Sequence, residues 1–159
     1  MKRFVAAMAL GTVFLAGSIA SGAEKWTKID FDVPNQNMEA SYYDENSVKV
    51  FGKTIHWTEK FVLTDFGAKY YTKHLNSYTA CKENIAKKGD VTHYQMDLEI
   101  KQGEFRSVAR RNFNKSGALI CTDADMGADF DRKWYKFPRN SPMAERNYLF
   151  VSKHKVGDL

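Results

Sequence analysis

The stretch from Val91 to Thr122 leaves the chain little choice of fold. Tyr94, Met96, Leu98 and Ile100 alternate with more polar neighbours, Lys101-Gln102-Gly103-Glu104 supplies turn residues, and a second run, Phe105 to Phe113, follows at once. Asn114-Lys115-Ser116-Gly117 then turns the chain into Ala118 to Thr122. Period-two alternation broken by short Gly- and Asn-bearing turns predicts two consecutive hairpins, and therefore an antiparallel meander.

The residues upstream extend that pattern. Glu24 to Phe31 reads as a first strand, Val33 to Asn37 with its Pro34 as a loop, and Ser41-Tyr42-Tyr43 as a short β-prone piece. Asp44 to Ser47 turns the chain into Val48 to Phe51, and Gly52-Lys53 turns it again. In the strand that follows, Ile55, Trp57, Phe61 and Leu63 share one face while Thr54, His56, Thr58, Lys60 and Val62 share the other. Glu59 interrupts the apolar face. It reads as a charge at the rim of the sheet or as the partner of an arginine, with a catalytic carboxylate as the alternative.

From Gly67 the period becomes helical. Tyr71, Leu75, Tyr78 and Ile85 recur at threes and fours, Lys87 and Lys88 suit a last turn, and Gly89 suits a C-cap, so a central helix is expected over Ala68 to Lys88. The acidic run Asp123 to Asp131 is expected to be irregular. Ser141 before Pro142 marks the start of a C-terminal helix from Met143 to about Lys153. An antiparallel sheet carrying helices on one face makes the expected class α+β.

Residues 1 to 23 carry Lys2 and Arg3, an apolar stretch from Phe4 to Ala16, and small residues through Ala23. That is the layout of a secretory signal peptide, with cleavage expected before Glu24, and the apolar run is too short for a spanning anchor. The remainder, 24 to 159, has the length of a single domain. Across all 159 residues, 24 Lys and Arg face 19 Asp and Glu for a net charge of +5. The leader takes two of those cations and no acid with it. So mild a charge on an exported chain disfavours nucleic acid as a partner. No later segment approaches spanning length. The expected location is the periplasm or the outer cell surface.

Two cysteines in an oxidising compartment are expected to pair. Cys81 to Cys121 would tie the central helix to the meander, for a chain-entropy gain of about 4 kcal/mol; free thiols for metal or redox chemistry are the alternative. Asp123, Asp125, Asp129 and Asp131 alternate as Ca²⁺ ligands can, although their glycine and Trp134 sit at the wrong places for an EF-hand, and a solvated acidic turn is the alternative. His56 and His93 fall on the polar faces of their strands and could meet there to hold a metal or haem. Arg106 and Arg110 fall on one face of their strand, with Arg111 and Lys115 nearby, a surface for an anionic ligand or a solvated face. No nucleophile elbow, zinc-protease motif or phosphate-cradling loop occurs, which favours a non-catalytic binding domain over an enzyme.

Several pieces, in order, resemble the surface-adhesin protein E family of small exported bacterial domains. They are Trp26-Thr27-Lys28-Ile29, Tyr42-Tyr43-Asp44-Glu45-Asn46-Ser47-Val48, the strand around Trp57, Phe105-Arg106-Ser107-Val108 leading through Asn114-Lys115-Ser116-Gly117, and Trp134-Tyr135-Lys136-Phe137-Pro138-Arg139-Asn140-Ser141. The resemblance implies an antiparallel sheet with a C-terminal helix against it and a protein ligand of host or envelope origin. From the family's best-known member it also implies haem and a homodimer. The chain departs from that family in two places. The regions near Ile100 and Ser152, which carry the family's usual disulfide, have no cysteine here, and the central helix is an addition.

Overall fold

The computed structural model describes residues 23–30, 36–101, 103–138, 141, 143, 144 and 146. The expected leader lies outside these residues, as does the expected terminal helix beyond Arg146. Eight strands form one antiparallel sheet: β1 (Trp26–Ile29), β2 (Met38–Asp44), β3 (Lys49–Phe51), β4 (Thr54–Leu63), β5 (Val91–Lys101), β6 (Glu104–Asn114), β7 (Leu119–Thr122) and β8 (Tyr135–Lys136). Its path runs β1-β2-β4-β5-β6-β7. β2 and β3 lie in line along one side of β4, pairing with its far and near halves, and β7 and β8 share β6 in the same way. The sheet is antiparallel as the sequence predicted, and with its helices the described part of the chain is α+β.

Alternation decides which face is core. Every second residue of β4, from Ile55 to Leu63, is buried. The register sets Ile55, Trp57, Glu59 and Phe61 opposite Ile100, Leu98, Met96 and Tyr94 of β5. This inward face is covered at one end by two helices, α1 (Asp65–Leu75) and α2 (Thr79–Lys88). The sequence pointed to a single helix over 68–88. The break has a local cause. Asn76 caps α1, the Ser77 hydroxyl donates to the His74 carbonyl at 2.7 Å, and the Ser77 and Tyr78 amides close tight turns onto His74 and Leu75. Such short polar side chains offer the backbone an alternative to helix. α1 also starts earlier than expected, because Thr64 accepts from the Gly67 amide at 3.0 Å as an N-cap. Gly67 sits so close to the loop before β2 that a Cβ there would lie 2.0 Å from the Asn37 carbonyl oxygen. Gly89 ends α2 at φ +91°, with its amide on Ile85.

Cys81 of α2 and Cys121 of β7 form a disulfide with Cα atoms 5.2 Å apart, joining helix to sheet as expected. The acidic segment is ordered where irregularity was expected. It forms α3 (Asp123–Met126) and a 3₁₀ turn at Gly127–Asp129 that buries Met126 and leads to buried Phe130. Among the described residues no helix is long and apolar enough to cross a membrane.

Candidate functional site

The anomaly of β4 resolves into a buried ion pair. Glu59 is 0% exposed and Arg146 5%. The Glu59 carboxylate accepts from Arg146 Nε at 2.8 Å and from its Nη2, from Ser41 Oγ at 2.5 Å, and from Trp57 Nε1 at 3.2 Å. Both oxygens are engaged by donors from β2, from β4 and from the segment after Pro138. The rim position read from the sequence is therefore corrected to the centre of the sheet, and the arginine partner is present. The carboxylate, bound on both oxygens, ties β2, β4 and the segment after Pro138 together. The pairing spans 87 residues, so nothing near Glu59 in sequence points to Arg146.

Beside this pair the inward face is left uncovered by α1 and α2, and a half-open cavity of about 610 Å³ lies there. Phe61, Met96, Leu98 and Phe105 form its floor, and Met38 and Ile29 one side. Phe137 and Met143 also line it, as do the charged Lys28, Asp30, Glu39, Lys136 and Arg146. Its volume and concavity, with a lining more apolar than polar, are those of a small-molecule site. The cavity was not legible in the sequence, because its walls come from six separated stretches, none of which reads as a site by itself.

Of the four residues read as a ligand surface, the structure brings His56 and Arg106 together on Glu99 and sets Arg110 and His93 elsewhere. A β-bulge in β6, where Asp97 pairs with Ala109 and the next residue, Leu98, with Ser107, inserts one residue and reverses the faces beyond it. Arg106 therefore points outward and Arg110 inward, correcting the shared face expected from their spacing. On the outward face Arg106 Nε donates to Glu99 at 2.7 Å, and His56 Nδ1 lies 3.6 Å from the same carboxylate. Trp134 lies 4.8 Å from the Arg106 guanidinium. Arg111 makes a two-pronged bond to Asp97 at 2.9 and 2.7 Å, and Thr58 donates to the same group. Burial pushes the Asp97 carboxyl up, but the bonds from Arg111 and Thr58 outweigh it and hold it below the ordinary carboxylate value. His93 shares the outward face with His56, yet its register partner Val62 is six residues along β4, so the two stand about 20 Å apart.

Arg110 Nε donates to Asn112 Oδ1 at 3.0 Å, and the guanidinium lies 4.1 Å from the Tyr94 ring and 5.0 Å from Tyr71. Among the described residues it joins no ion pair, and its Nη2 is buried without a hydrogen-bond partner. Burial lowers its affinity for its proton below the ordinary arginine value.

The four aspartates are committed elsewhere. Asp123 accepts from the Arg110 amide and pairs with Arg132, Asp125 accepts from the Thr122 amide, Asp129 stands beside Tyr78, and Asp131 accepts from the Lys133 amide and Tyr135. Among the described residues no three His, Cys, Asp or Glu side chains gather closely enough to hold a metal ion.

His93 gives a pH prediction. It stacks on Phe113 at 5.2 Å, and burial, followed by the charge of Lys60, lowers its pKa from the ordinary 6.5. The unfolded chain thus binds that proton more readily, so the contribution of His93 is complete above pH 6.5 and is lost as the pH falls through the lower folded value. The melting temperature should drop between pH 7.5 and pH 5, and His93→Gln should flatten that portion of the curve; an unchanged slope would contradict the assignment.

Comparison with protein-family models, with curated proteins and with solved structures finds no match for this chain.

Proposed function

We propose that the chain is an exported, non-catalytic binding domain of the cell envelope, in the periplasm or at the outer surface, similar to surface-adhesin protein E. In this reading it holds a small apolar ligand in the cavity between the sheet and the segment after Pro138. The ordered motifs support the family resemblance, which implies an antiparallel sheet with a C-terminal helix packed on it, to which the helical segment between β4 and β5 is an addition. The single observation that carries the binding function is the 610 Å³ cavity, whose floor of Phe61, Met96, Leu98 and Phe105 lies beside a fully satisfied ion pair. A folded sheet would gain by covering those side chains, and burying apolar surface at about 25 cal/mol per Å² is what a ligand supplies.

The test is a titration with N-phenyl-1-naphthylamine, an uncharged dye that brightens in apolar surroundings. Saturable binding at micromolar concentration is expected, and Ala40→Phe and Ser107→Trp, which place bulk in the cavity wall, should each weaken it by about tenfold or more. Thermal unfolding of both variants shows whether they fold. Dye binding that is absent, or that both folded variants leave unchanged, would contradict the proposal.

A further inference from the structure

Resting on the cavity reading above, we infer that the ligand is an amphipathic monoanion, an apolar chain ending in one carboxylate, and that Arg110 is the residue that selects it. Lys28, Lys136, Asp30 and Glu39 line the cavity with two charges of each sign, Lys28 standing 3.6 Å from Asp30, and Glu59, Arg146 and Arg110 lie on or beside the inward face. Glu59 and Arg146 cancel in a buried pair. Arg110 is left over. Its Nε is satisfied by Asn112, and the faces of Tyr94 and Tyr71 offset part of the cost of burying its charge. Its Nη2 remains buried with no acceptor. A buried donor without an acceptor requires an explanation, and a missing anion is one that accounts for the charge as well as for the hydrogen bond.

Position links this cation to the cavity. Met96, which lines the cavity, is the register partner of Arg110 across the two strands. Phe61, also in the lining, stacks at 4.8 Å on Tyr94, the ring beside the guanidinium. The guanidinium stands one side chain behind the cavity wall, and the Met96 thioether is the unbranched, adaptable side chain whose shift opens the way. The β6 bulge is what brings Arg110 to this face. One uncompensated charge and one unused donor match one carboxylate. A dianionic headgroup would exchange a partly buried cation for a partly buried anion, and a neutral headgroup would leave the cation as it is. The apolar lining takes the chain, so the class is that of a fatty acid.

The experiment compares dodecanoate with dodecanol, each below its aggregation limit at neutral pH, by displacement of N-phenyl-1-naphthylamine from the full chain. The acid should bind about tenfold or more tightly than the alcohol, and Arg110→Met should erase that preference by weakening the acid alone. Arg110→Met removes the unsatisfied donor and keeps the length of the side chain; Arg110→Gln, with a polar end, serves if the first variant unfolds. Equal affinities in the native chain, or a preference that survives in the folded variants, would overturn the anionic assignment while leaving the cavity reading intact. Failure of the dye itself to bind would overturn both.

Discussion

Replacing Glu59 with Ala should cost about 3–5 kcal/mol of folding stability, read as a fall in the denaturant midpoint, because Arg146 would keep a buried charge with its carboxylate gone. Ser41 Oγ and Trp57 Nε1 would lose an acceptor in the same step. The loss belongs to a buried cation deprived of this carboxylate more than to the pair itself. Glu59→Leu combined with Arg146→Met should therefore recover most of it, since an apolar replacement of a whole buried pair is often neutral or better. A loss below about 1 kcal/mol for Glu59→Ala alone would show that Arg146 does not occupy this place.

Cys81→Ala with Cys121→Ala should cost about 2–4 kcal/mol, a fall in melting temperature of about 10 °C. The bond closes a separation of 40 residues, and it ties α2 to β7, a four-residue strand at the end of the sheet. Cys81 is 0% exposed and Cys121 2%, so the double variant also leaves a small void in the core. The oxidised protein should show no reactive thiol. Two reactive thiols, or a melting temperature unchanged by the double substitution, would contradict the staple.

Where one residue's surroundings are local, the sequence was a good guide. The alternation of Ile55, Trp57, Phe61 and Leu63 placed β4 correctly, and Tyr94 to Ile100 placed β5, because a period of two needs no knowledge of the rest of the chain. The cysteine pairing was legible because only two cysteines exist. Glu59 was legible as an anomaly, but its partner was not. The helix break at Asn76-Ser77 was missed since the apolar spacing continues through it to Tyr78 and Ile85, and the capping bonds that interrupt it are made by polar residues between them.

The errors about the site have one physical source. Faces were assigned by counting, and counting fails across a bulge: Arg106 and Arg110, four apart, stand on opposite sides of the sheet because one extra residue lies between them. Counting also says nothing of register. His56 and His93 share a face yet sit at different heights, which only the pairing of β4 with β5 reveals. The cavity depends on both, and on the return of Phe137, Met143 and Arg146 to the sheet, so it belongs to tertiary structure alone.

The methionines allow the central claim to be tested inside the folded protein. Met38, Met96 and Met143 line the cavity, whereas Met126, the buried last residue of α3, is not part of the lining. With methyl-¹³C methionine, titration of N-phenyl-1-naphthylamine followed by NMR should move the methyl signals of Met38, Met96 and Met143 in step and leave Met126 in place. Signals that stay fixed at saturating dye, or a Met126 methyl that moves as far as the other three, would show that the cavity is not the binding site.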